Sequence, residues 1–415
     1  MEVEPLVFNR RIPELDGLRG IAILLVLYYH YFESAPLPSY LASLGRLTWS
    51  GVDLFFVLSG FLVGGILLDV RLTPHYFKTF FIRRAHRILP LYALVCLLFW
   101  LIGGNFVDYN QPFYWLFSNP WPWYAYATFT QNFFMTADGT LGPAWLGATW
   151  SLAVEEQFYL TLPLLIRFAN RRHLAYILAF LILSAPLIRT SLRLYYLHGD
   201  VGAYVLMPCR ADALMLGVMV ALLIRNRKAW QFLMVHKRFL LILQVVLLCG
   251  MAWMALKTTE QQVQPPILQV LVQPAQVLEN LWQVFWHHVR LFISSLNYTW
   301  IAAFYTCLLL ITITHSSSWV NHFLRSRLLV EIGAIAYGAY LFHQPVLGLC
   351  YGLVRDGLPI INNSLDWGIT VIAFALTLLL AKASWIYWEK PFVERGHKYI
   401  YTSSNRLSKL HITAG

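Results

Sequence analysis

Apolar runs about as long as a hydrocarbon core is thick recur along the chain. They fall at 18–33, 51–70, 88–104, 150–168, 174–192, 208–225, 239–256, 298–314, 330–352 and 366–388. This repetition predicts an all-α fold, a polytopic transmembrane helical bundle of about ten helices. An aromatic stretch at 113–135 is interrupted by Pro120 and Pro122. It reads as a surface or re-entrant element, because a lipid-facing backbone does not tolerate such a break. The first run has no small-residue cleavage site and is followed by further runs, so it reads as a retained anchor rather than a removed signal.

Lysine and arginine placement orients this arrangement. With the N-terminus in the cytoplasm, one set of connecting segments holds 22 basic residues. They are Arg10 and Arg11; Arg71, Lys78, Arg83, Arg84 and Arg87; Arg167, Arg171 and Arg172; Arg225, Arg227, Lys228, Lys237 and Arg238; Arg325 and Arg327; and Lys390, Arg395, Lys398, Arg406 and Lys409. The opposite segments hold five: Arg46, Arg193, Lys257, Arg290 and Arg355. Four more (Arg19, Arg189, Arg210, Lys382) fall inside the runs. The positive-inside bias then predicts both termini in the cytoplasm. Counting 113–135 as a span would reverse every later loop and spoil the asymmetry. The predicted organisation is a membrane domain over 1–395 and a basic cytoplasmic tail over 396–415.

Composition agrees with a lipid solvent. Of 415 residues, 58% are hydrophobic and 12% charged, roughly half the charged share of soluble domains. The mean hydropathy is +0.57. The net charge of +11 would suggest nucleic acid in a soluble protein; here it follows from topology, and no nucleic-acid partner is expected. Five cysteines (Cys96, Cys209, Cys249, Cys307, Cys350) stand singly in apolar segments, which predicts neither a disulfide framework nor a metal site.

Two of the non-cytoplasmic segments are long, 105–149 and 257–297. The first lacks Lys and Arg but carries Trp115, Trp121, Trp123, Tyr124 and Tyr126. It suits an interfacial aromatic belt or a stacking surface for sugar rings. The second is rich in Gln and Pro, then amphipathic around Leu281–Ile293.

Ionisable residues inside membrane runs are functional candidates, since their burial is costly. Arg19 and His30 are eleven residues apart, so both project from one helix face about 16 Å apart along the axis. Asp53 opens the second run from the outer side, near the level of His30, and Glu155 and Glu156 enter the fourth run from that side. A histidine with a carboxylate in reach forms a general base near neutral pH. Such a base suits a hydroxyl attacking a thioester; buried packing polarity is the competing explanation. On the cytoplasmic side, FKTFFIRRAHRILP sets Arg83, Arg84 and Arg87 at i, i+1 and i+4, with Pro90 marking the start of the third span. Guanidinium forks match phosphates, and anchoring to anionic lipid is the alternative. Late in the chain, EIGAIAYGAYLFHQP places Tyr340 and His343 at i, i+3, with Glu331 and Tyr337 upstream; SWIYWEKP adds Tyr387 and Glu389. Core packing with a few satisfied hydrogen bonds would account for these as well.

Five segments, in order, resemble the acyltransferase 3 family of membrane O-acyltransferases. They are ELDGLRGIAILLVLYYHYF, GVDLFFVLSGFLVGGILL, FFIRRAHRILPLY, ATWSLAVEEQFYLTLPLL and YGAYLFHQP, and the resemblance covers about residues 12 to 395. It implies a bacterial inner-membrane, multi-pass enzyme that takes an acyl group, usually acetyl, from cytoplasmic acyl-CoA. The implied acceptor is an extracytoplasmic carbohydrate or glycolipid. His30 matches the family's essential histidine and Arg19 its partner arginine. Arg83, Arg84 and Arg87 match the basic motif assigned to the CoA end, and Asp53, Glu155 and Glu156 match the acidic positions. Some members carry a fused esterase-like domain after the membrane part, and this sequence ends before one. Transfer is therefore completed by the chain alone or with an esterase-like partner.

The expected mechanism has Arg83, Arg84 and Arg87 on the CoA phosphates and His30 as general base. Asp53 or Glu155 orients the imidazole, and Glu156, Tyr340 and His343 contact substrate. Direct transfer is expected, with a covalent acyl-histidine as the variant. A transporter or flippase of a sugar-containing substrate is the alternative class. Its sign would be an internal repeat, and the Arg19–His30 pattern has no counterpart in the second half. A non-catalytic partner subunit would leave the intramembrane His, Asp and Glu residues without a purpose.

Overall fold

A computed structural model describes residues 12–106, 113–170, 172–257, 274–315, 318–355 and 357–401. Arg10, Arg11, Arg171, Arg406 and Lys409, and the tail beyond residue 401, lie outside the described residues. Among the described residues every regular element is helical.

The helices include α1 (Pro13–Phe32), α2 (Gly51–Asp69), α3 (Tyr76–Phe106), α4 (Trp150–Phe168), α5 (Leu174–Tyr195), α6 (Met207–Leu223), α7 (Lys237–Lys257), α8 (Pro274–Thr314), α9 (Arg327–Ala334), α10 (Ala336–Arg355), α11 (Ser364–Ser384) and α12 (Lys390–His397). Local chemistry sets several boundaries. Pro13 occupies the start of α1, where its missing N–H costs nothing, and Glu14 and Asp16 favour the positive end of the helix. Asn363 and Asp366 close a reciprocal capping box at the start of α11.

Seven helical segments are long and apolar enough to cross a membrane: Ser39–Asp69, Tyr76–Gly103, Leu174–Tyr195, Gly199–Leu223, Lys237–Leu256, Phe285–Thr314 and Ser364–His397. The count of ten is therefore not reached on these grounds. The remaining three predicted runs fall on α1, α4 and α10, helices of 19 to 20 residues. These three hold Arg19 and His30, Glu155 and Glu156, and His343. Their polar residues lower the apolar signal in the helices that carry the candidate chemistry.

Two boundaries differ from expectation. Pro90 does not start a helix but lies within α3, which runs unbroken for 31 residues; membrane helices tolerate proline where neighbouring groups re-satisfy the backbone. The predicted span at 298–314 is the last part of α8, which is 41 residues long. The 113–135 stretch forms only short turns and helices, including Trp123–Ala127 and Gln131–Asp138. Its Trp121 and Tyr126 are buried, while Trp123 and Tyr124 are exposed.

Helices α2 and α6 pack against each other, α1 packs against α2, α9 and α10, and α10 packs against α11. Glycines permit the closest crossings. A Cβ on Gly60 would overlap the carbonyl oxygen of Leu214, and one on Gly217 would overlap that of Val57. Only hydrogen in place of a side chain lets α2 and α6 touch backbone to backbone. Gly60→Ala is therefore expected to destabilise the protein by about 1–3 kcal/mol, the usual cost of overpacking. Thermal unfolding in detergent reads the change. Gly368→Ala, at a position where a Cβ meets nothing within 4 Å, is the matched control and should unfold like the native protein.

Candidate active site

His30 lies in the last turn of α1, with its side chain partly exposed. Its Nδ1 stands 2.9 Å from the carbonyl oxygen of Val26, one turn earlier. A carbonyl only accepts, so Nδ1 carries the proton and Nε2 keeps its lone pair. That tautomer is the one a general base requires. The ring packs edge-on against His343 of α10, with centroids 4.6 Å apart and planes at 70°. His343 is fully buried, and its Nδ1 bonds the Tyr340 carbonyl at 2.6 Å. The Tyr340 ring lies 5.6 Å from that of His343.

Tyr340 also lines a cavity of about 110 Å³ between α1, α2, α3, α4 and α10. Its phenol is held by Ser151 Oγ at 2.6 Å and donates to the Ala148 carbonyl at 2.9 Å. The same cavity is lined by Arg19, Arg84 and Arg87, with the Arg84 guanidinium 5.2 Å from the Tyr159 ring. Glu155 lines the wall and accepts from Tyr159 Oη at 3.3 Å. A second cavity, of about 310 Å³, shares Arg19, Leu62, Arg84 and Arg87 with the first. Arg83, Asp16, His397 and Tyr401 complete much of its lining. The two spaces are neighbours that share three arginines, and Tyr340 lines the smaller one.

Several expected placements are revised. Asp53 does not orient His30: its carboxylate takes a hydrogen bond from Arg210 of α6 at 2.6 Å. The reason lies in helix register. Asp53, Gly60 and Gly64 are spaced i, i+7, i+11, so Asp53 shares the face of α2 that meets α6. Glu155 does not orient His30 either, because it faces the cavity. The backbone carbonyl of Val26 has that position instead. Glu156 lies beside Glu155 without lining either cavity, and one of its buried oxygens lacks a partner. Arg83 donates to the backbone carbonyls of Tyr399 at 2.9 Å and His397 at 3.4 Å, and stacks over Tyr401 at 5.1 Å. It therefore docks the segment after α12 against α3, while Arg84 and Arg87 line both cavities. Arg19 pairs with Asp16 at 3.5 Å and also lines both. His30 lines neither cavity; the contact between them runs through Tyr340 and His343.

A second polar cluster was not assembled from the sequence. Arg189 bonds Asp212 at 2.8 Å, and Asp212 also accepts from Thr299 at 2.6 Å. Arg210, 1% exposed, has the Tyr298 ring 4.7 Å away and Trp49, Phe56, Trp150 and Tyr204 around it. Arg189 and Arg210 stood out in the sequence only as basic residues within apolar runs. The cost of burying a charge was the signal that each needed an acidic partner. Among the described residues, no group of three or more His, Cys, Asp or Glu is arranged to hold a metal ion.

Comparison with known proteins adds an independent line. A family model described as an acyltransferase domain matches residues 12–385. The chain is 27% identical to the Bacillus subtilis protein named "Putative peptidoglycan O-acetyltransferase YrhL", over 94% of this chain and 56% of that protein. It is 27% identical to "O-acetyltransferase OatA" of Staphylococcus aureus, over 95% of this chain and 59% of that protein. The chain thus spans less than two thirds of these relatives' length. No solved structure matches it.

The buried pair offers a direct test. Asp53→Ala leaves the Arg210 charge without its carboxylate, a loss of about 3–5 kcal/mol for a buried pair. Replacing both, Asp53→Leu with Arg210→Met, is expected to recover most of that loss. A double-mutant cycle on unfolding in detergent measures the coupling, and a value near zero would show that the pair does not hold α2 to α6.

Proposed function

The chain belongs to the acyltransferase 3 family, and on that premise we propose that it moves an acetyl group from acyl-CoA to a carbohydrate hydroxyl across a membrane. It is a multi-pass integral membrane protein. The observation that carries the reading is the state of His30: a partly exposed imidazole with Nδ1–H committed to Val26 and Nε2 open. It stands two ring contacts from a cavity that three arginines also line.

In the proposed reaction, Arg84 and Arg87, with Arg19, hold the phosphates of CoA at the cytoplasmic end; Arg83 helps by fixing the wall that carries Tyr401. Guanidinium groups suit this task because their donors match phosphate oxygens in pairs. The thin pantetheine arm lies along the cavity and past Tyr340, so that the thioester comes within reach of His30 while the nucleotide stays outside. The acceptor hydroxyl comes to His30 from the other membrane face. His30 Nε2 takes the hydroxyl proton as the oxygen bonds the carbonyl carbon. The carbon–sulfur bond then breaks, and the proton passes from His30 to the departing thiolate. The relatives' names support an O-acetyl product, and the name of the Bacillus relative supports a peptidoglycan sugar as acceptor. An esterase-like partner could take part in the final transfer. The basic residues of α3 support cytoplasmic termini by the positive-inside bias.

Two experiments test this reading. Purified protein with labelled acetyl-CoA and peptidoglycan fragments should yield labelled glycan. His30→Ala should reduce the rate by at least about 100-fold, the scale of general-base catalysis, while the protein elutes and unfolds as native. Retained transfer would exclude His30 as the base. Second, Arg84→Ala with Arg87→Ala should raise the KM for acetyl-CoA by at least about 10-fold and leave the acceptor KM unaltered. An unchanged donor KM would make these arginines lipid anchors instead.

A further inference from the structure

The least explained polar atom near His30 belongs to its neighbour. His343 is 0% exposed, and its Nε2 is buried without a hydrogen-bond partner. Its Nδ1 lies 2.6 Å from the Tyr340 carbonyl, so Nδ1 bears the proton and the orphaned Nε2 is a lone pair. A buried acceptor left unsatisfied is costly and rare in folded proteins. Its placement is firmly held. Tyr31, one residue after His30, donates from its phenol to the His343 carbonyl at 3.0 Å and bonds Thr377 Oγ1 of α11 at 2.7 Å. This joins α1, α10 and α11 at the level of the two imidazoles.

The neighbourhood lacks the group expected to stabilise a charged histidine. The ring nitrogens of His30 and His343 have backbone carbonyls as their hydrogen-bond partners, with no carboxylate among the described residues. Asp53 is occupied by Arg210, and Glu155 faces the cavity. When His30 takes up a proton at Nε2, it gains an N–H and a positive charge in a water-poor setting. The ring packed against it is that of His343, which keeps an unpartnered Nε2 lone pair.

We propose that His343 is the positioning partner of His30: its neutral ring, packed edge-on against the His30 imidazole with Nε2 unprotonated, holds that imidazole in place and stabilises the imidazolium through its lone-pair dipole during acyl transfer. This rests on the reading of His30 as the base. The proton remains on His30 while the hydroxyl oxygen adds and the thiolate leaves, and then passes to sulfur. His343 changes neither its charge nor its bonds. Its neutral lone pair stands where other sites use a carboxylate.

Two replacements separate this role from packing. His343→Phe keeps a ring against His30 but has no lone pair. His343→Gln keeps an acceptor oxygen near the place of Nε2. The measurement is thiol release from acetyl-CoA by the full chain in lipid nanodiscs, with peptidoglycan fragments as acceptor. His343→Phe is expected to lower kcat by about 10- to 100-fold with the donor KM unchanged, whereas His343→Gln should stay within about 10-fold of native. Native kcat in a folded His343→Phe protein, or equal losses in both variants, would overturn the proposal. If His343→Phe does not fold, His343→Gln is compared with His343→Asn, whose shorter amide falls short. Activity in Gln but not Asn supports the role, and equal activity refutes it. An inactive His30→Ala beside a fully active His343→Phe would defeat this inference alone. An active His30→Ala would defeat the reading beneath it.

Discussion

Inside a bilayer no water is available to satisfy a charge or a backbone polar group, so protein must supply the partner. That constraint organises this molecule. Arg210 meets Asp53 and Arg189 meets Asp212 in the body of the bundle. Toward helix ends, Arg225 meets Asp69, Arg325 meets Glu14 and Arg355 meets Asp366. These pairs tie helices together. A different set, Arg84, Arg87 and Glu155, faces a cavity. The distinction between a structural charge and a chemical one is made by which neighbour occupies it.

The same constraint bears on the histidines. Elsewhere an imidazole is often oriented by a carboxylate, which adds a negative charge to a buried site. Here each Nδ1 is turned onto a carbonyl of its own helix, Val26 for His30 and Tyr340 for His343. A backbone carbonyl fixes the tautomer without adding net charge. The arrangement leaves each Nε2 with its lone pair and the acidic residues free for other work. Tyr340 then links the imidazoles to the cavity, since one residue both lines that space and packs on His343.

Much of this was legible along the chain, and the failures have specific causes. The spacing of Arg19 and His30 is local to one helix, so periodicity alone could place both. Arg84 and Arg87 likewise belong to one helix and do face the cavity. Asp53 was misjudged because its place along the helix was readable but its direction was not. Its direction follows from Gly60 and Gly64, which press α2 onto α6, and from Arg210, some 157 residues away in sequence. Arg83 was grouped with its neighbours because its partners, the carbonyls of His397 and Tyr399, lie more than 300 residues later. His343 was singled out as a polar residue near substrate, but its contact with His30 joins α1 to α10.

What the sequence determined by itself is the helical class, the apolar segments and the place of polar residues along them. These follow from composition and helical period, both properties of short stretches of chain. The tertiary structure alone decided which polar groups meet. Hydrogen bonds and ion pairs form over a few ångströms, and the rotation of each helix about its axis is set by packing against helices distant in sequence. A turn of one helix by a third of a circle would leave its pattern unchanged and exchange every partner.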